Sequence, residues 1–190
     1  MYKFFAYLNR MKYINRWSLM RSVDTENIME HSQHVAVVAH ALATIGNVYF
    51  GKNLDCNSIA VKALLHETSE VLTGDLPTPI KYFNSDIRTA YKHLEKISND
   101  KLLTHLPEQM AKEYEPLLND DSSEEHRFVK YADKICAYIK CVEEVRMGNA
   151  EFIKAKKTIY DEIKAYDSDE VRFFMDNFMG AYQLSLDELD

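Results

Sequence analysis

Residues 27–46 read NIMEHSQHVAVVAHALATIG, and this stretch predicts a long amphipathic helix. Its apolar residues recur three or four positions apart, which is the period of a helix with one buried face; they are Val35, Val38, Leu42 and Ile45. Asn27 followed by Glu30 is typical of a capping box, so the helix should begin there, and Gly46 should end it. His31 lies on the apolar stripe and is expected to point inward.

The same helical period continues on both sides of this stretch. It predicts further helices over residues 4–15, about 57–71, 87–97, 110–117, 128–148, 152–163 and 171–182. Ser122 and Glu125 are predicted to cap the helix that carries Phe128. Residues 73–79 and 119–123 are typical of loops, because they are rich in Pro, Gly, Asp and Ser. No strand-length alternation competes, so we expect a single all-α domain over residues 1–190, a bundle of about eight helices.

Composition and charge argue against several classes of protein. The chain has 190 residues, of which 46% are hydrophobic and 28% charged, with only 5 Gly and 4 Pro. Such a balance is typical of a globular protein without turn-rich β structure. The net charge of −7 argues against a nucleic-acid polymer as partner, because such partners attract a basic surface. No apolar run reaches the ~18 residues that span a membrane, and three cysteines are too few for a disulfide framework. We therefore expect a cytoplasmic protein with no membrane partner.

A cluster of ionisable side chains lies in the predicted third helix, which contains His66, Glu67 and Glu70. In a continuous helix, Glu67 lies about 100° and Glu70 about 40° around the axis from His66. Desolvating two carboxylates and an imidazole together is costly unless a cation neutralises them, and a divalent metal ion would do so. The alternative is a solvated helix surface with a mildly destabilising like-charge pair.

Two other residues are unusual for their positions. His31 lies on an apolar stripe, where a histidine is either a hydrogen-bonded core residue or a metal ligand. Asp133 lies in the middle of a predicted helix, and a buried carboxylate is rare without a partner. The alternative for Asp133 is an ion pair at the helix edge with Lys130 or Lys134. The spacing alone leaves these alternatives open.

The order His31, then His66-Glu67, then Asp133 resembles the H…HD…D signature of HD-domain phosphohydrolases. Longer strings resemble, within that superfamily, the bacterial 5′-deoxynucleotidases of the YfbR type. These strings are INRWSLMR at 14–21, TEN at 25–27, EHS at 30–32, SEVLTGDLPTP at 69–79, KYFNS at 81–85 and LSLDE at 184–188. The resemblance covers essentially the whole chain.

This resemblance implies an HD-domain helical bundle and a homodimeric cytoplasmic enzyme that hydrolyses deoxyribonucleoside 5′-monophosphates to deoxynucleosides and phosphate. It implies one divalent metal ion, with cobalt, manganese or copper favoured over magnesium or zinc, and these ligands: His31, His66, Glu67 and Asp133. It also implies that Arg16 orients the phosphate, that Trp17 crowds the 2′ position of the sugar, and that Glu70 activates water. The other substrate-binding residues that it implies are Asp75, Leu76, Pro77 and Thr78, together with His31, Glu67 and Asp133.

The chain departs from the family signature at one position, because Glu67 stands where the signature has aspartate. Glutamate is longer by one methylene, on the order of 1.5 Å, so we expect a loosely held fourth ligand and a slow enzyme. Two alternatives stay open on sequence alone. One is an HD-domain phosphatase that acts on another phosphomonoester, and the other is a degenerate HD-domain protein that binds nucleotides without hydrolysing them.

Overall fold

The computed structural model describes residues 1–81, 83–120 and 122–190, so Tyr82 and Asp121 of the predicted segments lie outside the described residues. The α-helical segments are α1 (Phe4–Leu8), α2 (Ile28–Tyr49), α3 (Cys56–Leu65), α4 (Glu70–Thr73), α5 (Thr78–Lys81), α6 (Ser85–Leu103), α7 (Glu108–Asn119), α8 (Glu124–Arg146), α9 (Ile153–Lys164) and α10 (Asp169–Asn177). The described residues contain no strand beyond one isolated bridge. None of their helices is both long and apolar enough to cross a membrane. The all-α prediction is confirmed.

The main core lies where α2 packs against α3 and α8, with α9 packed on α8 and α10 on α2. Both α2 and α8 bury one face, because their apolar residues recur at the helical period. Fully buried side chains at this junction include Val35, Leu42, Ile59, Ala132 and Ile135. Burying a Val, Leu or Ile side chain contributes about 1.5–3 kcal/mol, so the core holds α2 and α8 in a fixed relation. Polar residues on the same faces are therefore held in fixed positions.

The predicted end of α2 at Gly46 is wrong. The capping box at Asn27 is present as predicted, but the helix continues to Tyr49. Gly46 is buried inside the helix, and a Cβ added there would lie 3.2 Å from Cδ1 of Leu54 and 3.3 Å from Oε1 of Glu170. The glycine therefore allows a close approach of neighbouring side chains instead of ending the helix.

Several other predicted boundaries also differ from the structure; α10, for example, ends at Asn177, and a 3₁₀ turn over Met179–Gln183 follows it. α1 ends at Leu8, and a 3₁₀ turn over Asn9–Tyr13 replaces the rest of the first predicted helix. α8 is capped by Ser123, whose hydroxyl accepts the N–H of His126 at 3.1 Å, and not by Ser122. Neighbouring serines have the same capping chemistry, so spacing alone does not choose between them.

The predicted third helix is interrupted at the ionisable cluster. α3 ends at Leu65, and residues 66–69 form a turn before α4 begins. The N–H of Thr68 bonds to the carbonyl of Leu65, and the N–H of Glu70 to that of Glu67, each at 3.0 Å. Bonding three residues back rotates the chain by about 120° per residue, so side chains three apart lie on one face. Glu67 and Glu70 therefore share a face, whereas a continuous helix predicted Glu70 beside His66.

Candidate active site

Four potential metal ligands converge from three parts of the chain. His31 lies in the first turn of α2, and Asp133 lies in the middle of α8. His66 and Glu67 lie in the turn after α3. One nitrogen or carboxylate oxygen from each residue lies within 4.8 Å of the other three. Metal–ligand bonds of about 2.0–2.2 Å place two ligand atoms at most about 4.4 Å apart, so the four atoms are close to the spacing that one ion needs.

The ring of His66 is oriented by its backbone hydrogen bond. Nδ1 donates to the carbonyl of Ala63 at 2.6 Å, so Nε2 is the nitrogen that the ring can offer as a metal ligand. This Nε2 is buried without a hydrogen-bond partner among the described residues, and Oε1 of Glu67 lies 3.2 Å from it. A proton or a metal ion on this nitrogen would offset the charge of the carboxylate. The orphaned nitrogen therefore fits a metal ligand.

His31 joins the metal-ligand cluster to its neighbours on both sides of the ring. Its Nε2 lies 2.9 Å from Oδ1 of Asp133, and its Nδ1 contacts Nη1 of Arg16. The His31 side chain is completely buried, whereas that of Asp133 is 36% exposed, so the cluster opens to solvent on the Asp133 side. Lys134, one of the alternative partners of Asp133, pairs with Glu162 at 2.7 Å.

The carboxyl groups of the cluster have strongly shifted pKa values. Burial and the negative charge of Glu67 raise the pKa of Glu70 to about 11. Burial opposes ionisation of Glu67 as well, but His66 and Glu70 outweigh it and hold the pKa of Glu67 well below its ordinary value. Burial also opposes ionisation of Asp133, but the hydrogen bond and charge of His31 outweigh it and lower the pKa of Asp133. Negative charge therefore collects on Glu67 and Asp133, where the ligand atoms converge, and this favours a bound cation.

Arg16 is brought to the cluster by residues 16–26, which we call the arginine loop. The ends of this loop pair with each other, because the N–H of Arg16 donates to the carbonyl of Glu26 and the N–H of Ile28 to that of Ile14, both at 2.9 Å. Nη1 of Arg16 donates to Oε2 of Glu26 at 2.9 Å. Nη2 lies 3.8 Å from Oδ1 of Asp133. The guanidinium group therefore lies directly beside a proposed metal ligand.

Trp17 is held at the start of the arginine loop in an uncommon backbone conformation. Its φ of 60° is rare for any residue other than glycine. Its Nε1 donates to Oε2 of Glu26 at 3.2 Å, and its ring packs against that of Phe152 with centroids 5.3 Å apart. Burial opposes ionisation of Glu26, but His31 and Arg16 outweigh it and lower the pKa of Glu26 to about 2. Strained residues fixed by several contacts are common at functional sites.

The tip of the arginine loop is fixed to the end of α8 by a buried ion pair. Glu144 is completely buried, and its carboxylate accepts the N–H groups of Val23 and Asp24 at 2.8 and 3.1 Å. Lys140 donates to Glu144 at 2.6 Å and to the carbonyl of Asp24 at 2.5 Å. The amide of Asn149 donates to the same carboxylate at 2.7 Å. One helix therefore positions both a candidate metal ligand and the loop that carries the arginine.

Asp75 lies on the loop that follows α4. Gly74 ends α4 with φ 73° and ψ 164°, a conformation that only glycine adopts readily. Burial raises the pKa of Asp75 although the charge of Arg16 acts against this, so the two groups interact electrostatically. The rest of the predicted nucleotide-binding segment follows directly: Leu76, Pro77 and Thr78. The contact of these three residues with nucleotide stays a prediction.

Two charged residues near the site were not singled out by the sequence. Glu26 contacts Arg16, and this contact depends on how the arginine loop folds back, which no local pattern indicates. Lys81 lies at the end of α5, where its amine pairs with Glu95 at 2.9 Å and lies 4.4 Å from the ring centre of Tyr91. Its positive charge favours ionisation of Glu70 and so partly offsets the raised pKa of that carboxyl group.

The sequence of this chain is similar to those of a known family of enzymes. The sequence pattern of the 5′-deoxynucleotidase YfbR-like family matches residues 3–182. Proteins named 5′-deoxynucleotidase YfbR from Escherichia coli are 51% identical over 188 residues, which is 98% of this chain and 94% of theirs.

Two solved structures show a shared fold. An HD-domain phosphohydrolase from Listeria innocua superposes with a TM-score of 0.81 at 21% identity, covering 97% of this chain and 90% of its own. The HD phosphohydrolase of cyanophage S-2L, bound to dA and one catalytic Zn²⁺ ion, superposes with a TM-score of 0.66 at 19% identity, covering 92% of this chain and 95% of its own. The family match and the identity to the E. coli proteins go further than fold, and by them this chain belongs to the 5′-deoxynucleotidase YfbR-like family.

Proposed function

We propose that this protein is a metal-dependent 5′-deoxynucleotidase, which hydrolyses deoxyribonucleoside 5′-monophosphates to deoxynucleosides and phosphate. The observation that carries the proposal is the convergence of four ligand atoms within 4.8 Å, beside the guanidinium group of Arg16. The E. coli relatives are named for the same activity. We further propose that the chain acts as one HD domain and as a homodimer in the cytoplasm.

The proposed metal centre holds one divalent ion on two imidazoles and two carboxylates: His31, His66, Glu67 and Asp133. Such a mixed set suits a first-row transition metal. Magnesium prefers oxygen ligands, whereas zinc also suits imidazole; following the family resemblance we favour cobalt, manganese or copper, with zinc or magnesium as alternatives. When bound, such an ion polarises a phosphoryl oxygen and acidifies water.

The proposed phosphate ligand is Arg16. Its guanidinium group presents five N–H donors in a planar fork, and only some of them are used by Glu26 and His31. The remaining donors can bind phosphate oxygens bidentately on the solvent-open side of the cluster, near Asp133. Trp17, next in the chain, is proposed to block the 2′-hydroxyl of a ribonucleotide. The proposed pocket for the rest of the nucleotide is lined by Asp75, Leu76, Pro77 and Thr78.

Glu70 is the proposed general base, the group that takes a proton from the attacking water. Burial and the charge of Glu67 raise the pKa of the Glu70 carboxyl group to about 11, which favours the protonated form. A cation held by Glu67 would offset this negative charge, and the pKa of Glu70 would then be lower. A carboxyl group that would become a carboxylate base only when the site holds a metal ion suits this role.

A protein that only binds nucleotides is not favoured by any of these observations. The replacement of the signature aspartate by Glu67 is the feature of the sequence that favours it. Oε1 of Glu67 nevertheless lies in the cluster, 3.2 Å from Nε2 of His66. The substitution therefore leaves a carboxylate oxygen at the position where a ligand is needed.

The test is a measurement of phosphate release from deoxyribonucleoside 5′-monophosphates, with the matching ribonucleotides and deoxyribonucleoside 3′-monophosphates as controls. Each substrate is assayed with cobalt, manganese, copper, magnesium or zinc. We expect release mainly from the 5′-deoxyribonucleotides, and loss of release in Asp133→Ala. His34→Ala is the matched control, because His34 is an exposed histidine on α2. Equal rates on deoxyribonucleotides and ribonucleotides, or full activity after chelation, would contradict the proposal.

A further inference from the structure

We propose that Glu26 is a positioning residue that orients Arg16, Trp17 and His31 with a single carboxylate. Its Oε2 accepts from Nη1 of Arg16 at 2.9 Å and from Nε1 of Trp17 at 3.2 Å. Its Oε1 lies 3.6 Å from Nδ1 of His31. One side chain thus touches the proposed phosphate ligand, the proposed sugar-discriminating residue and a proposed metal ligand. The assignment of those three roles rests on the proposed function.

Glu26 is well placed to fix these groups because it is itself held firmly. Its side chain is only 11% exposed, and that of Arg16 is 14% exposed. Its carbonyl accepts the N–H of Arg16 at 2.9 Å, and the next residue, Asn27, caps α2. Charge-assisted hydrogen bonds in such a shielded environment are stronger than those at the surface. The carboxylate therefore has a fixed position relative to both the arginine loop and the first turn of α2.

The tautomer of His31 gives Glu26 a specific role in metal binding. Nδ1 of His31 contacts Nη1 of Arg16, which can only donate, and lies 3.6 Å from Oε1 of Glu26, which can only accept, whereas Nε2 faces Asp133 at 2.9 Å. A histidine that ligates through Nε2 must present a lone pair there, and its ring proton then resides on Nδ1. That proton needs an acceptor, which Arg16 cannot be. Oε1 of Glu26 is an acceptor within reach of a small ring movement.

Two variants separate the contacts of Glu26. Glu26→Gln keeps one oxygen, which can still accept from Arg16 and Trp17, but it presents an amide N–H₂ group toward Nδ1 of His31. Glu26→Ala removes all three contacts. Asp24→Asn is the matched control, because it removes one negative charge from an exposed side chain of the same loop.

The first readout is the affinity of the metal-free protein for Mn²⁺ or Co²⁺, measured by titration without substrate. We expect both Glu26 variants to lose affinity by about 10–100-fold, as is usual when the partner of a metal-ligating histidine is removed. Asp24→Asn should bind as tightly as the parent protein. A Glu26 that served only folding would lower the melting temperature and leave the affinity of the folded protein unchanged.

The second readout is the ratio of deoxyribonucleotide to ribonucleotide turnover, together with KM, at saturating metal. Glu26→Ala should lower this ratio and raise KM, because Trp17 and Arg16 lose their shared anchor. Glu26→Gln should keep both closer to the parent values. Circular dichroism checks that each variant folds. If Glu26→Ala does not fold, the metal affinity of Glu26→Gln alone tests the role toward His31.

The outcomes separate this inference from the proposed function. Parent-like metal affinity in Glu26→Gln overturns the role toward His31, and parent-like selectivity and KM in a folded Glu26→Ala overturn the role toward Trp17 and Arg16. If the parent protein hydrolyses no deoxyribonucleotide, the proposed function fails, but the metal titration still decides the role toward His31. If the parent protein is active and both Glu26 variants behave like it, only the role of Glu26 fails.

Discussion

Trp17 is held by contacts that leave its indole ring little freedom. Its backbone is in the left-handed region, its N–H is bound by Glu26, and its ring packs on Phe152. A rigid wall of this kind can reject a 2′-hydroxyl by steric clash. We therefore expect Trp17→Ala to lower the preference for deoxyribonucleotides by about 10-fold or more, mainly by raising the rate on ribonucleotides. Steady-state kinetics on matched deoxy and ribo substrates measures this ratio.

Trp17→Phe provides the control for this prediction. Phenylalanine keeps an aromatic wall and loses only the hydrogen bond to Glu26, so most of the discrimination should remain. A ratio in Trp17→Ala equal to that of the parent protein would show that Trp17 is a packing residue.

As a proposed metal ligand, Glu67 has one methylene more than the aspartate of the family signature. Its Oε1 lies 3.2 Å from Nε2 of His66, another proposed ligand, and its charge opposes ionisation of Glu70. A shorter side chain would draw the carboxylate away from both neighbours. We expect Glu67→Asp to raise metal affinity and turnover by about tenfold, the lower end of what imperfect support of a metal ligand costs. Metal titration and phosphate release measure the two effects.

Glu67→Gln is the matched control for Glu67→Asp, because it keeps the length of the side chain and removes its charge. It should bind metal less tightly than the parent protein. If Glu67→Asp also binds less tightly and turns over more slowly, the turn at residues 66–69 requires the longer side chain.

At the scale of the elements, the arginine loop depends on the buried pair of Lys140 and Glu144 on α8. Burial opposes ionisation of Glu144, but hydrogen bonds from Lys140 and from the N–H of Val23 outweigh it and lower its pKa from 4.5 to about 2. A group with a lowered folded-state pKa stabilises the fold above its unfolded pKa, and this stability is lost as the pH falls through the folded pKa. Glu144 therefore contributes stability above about pH 4.5 that disappears toward pH 2.

Glu144→Gln should lower the free energy of unfolding at neutral pH by on the order of 3 kcal/mol, because it leaves a buried ammonium group without its counter-charge. The difference from the parent protein should shrink as the pH falls toward that of acid unfolding, since protonated Glu144 resembles glutamine. Urea unfolding across this pH range measures it. Glu151→Gln is the control, because the partner of Glu151 in its ion pair, Arg21, is 94% exposed, and such pairs contribute under about 1 kcal/mol. A constant difference at all pH values would contradict the prediction.

The elements themselves could largely be predicted from the helical period, but their ends could not. The capping box at Asn27 was readable because its chemistry is local. The local pattern wrongly predicts a helix end at Gly46, because the side chain of Glu170 that approaches it comes from a distant helix. It also predicts helix over residues 66–69, because these residues include neither glycine nor proline. The hydrogen bonds that interrupt the helix there became visible only in the folded chain.

At the scale of the whole molecule, the candidate site depends on helix packing that the sequence does not encode locally. His31 and Asp133 are 102 positions apart, and their side chains lie 2.9 Å from each other. Each was unusual for its own helix, but only the packing of α2 against α8 brings the two together. The resemblance to HD-domain phosphohydrolases supplied that pairing in advance. It gave no role to Glu26, whose contacts depend on the path of one loop.

A metal ion held between α2, the turn after α3 and α8 would link distant parts of the chain and so oppose unfolding of the whole molecule. At an ion concentration about 100 times the dissociation constant, mass action stabilises the folded state by about 2.7 kcal/mol. For a chain of this length the melting temperature should then rise by about 5–11 °C. Thermal unfolding followed by far-UV circular dichroism, with and without Mn²⁺ or Co²⁺, measures the shift. His31→Ala and Asp133→Ala should abolish it with helix content intact, whereas His34→Ala should retain it, and a full shift in both ligand variants would place the ion elsewhere.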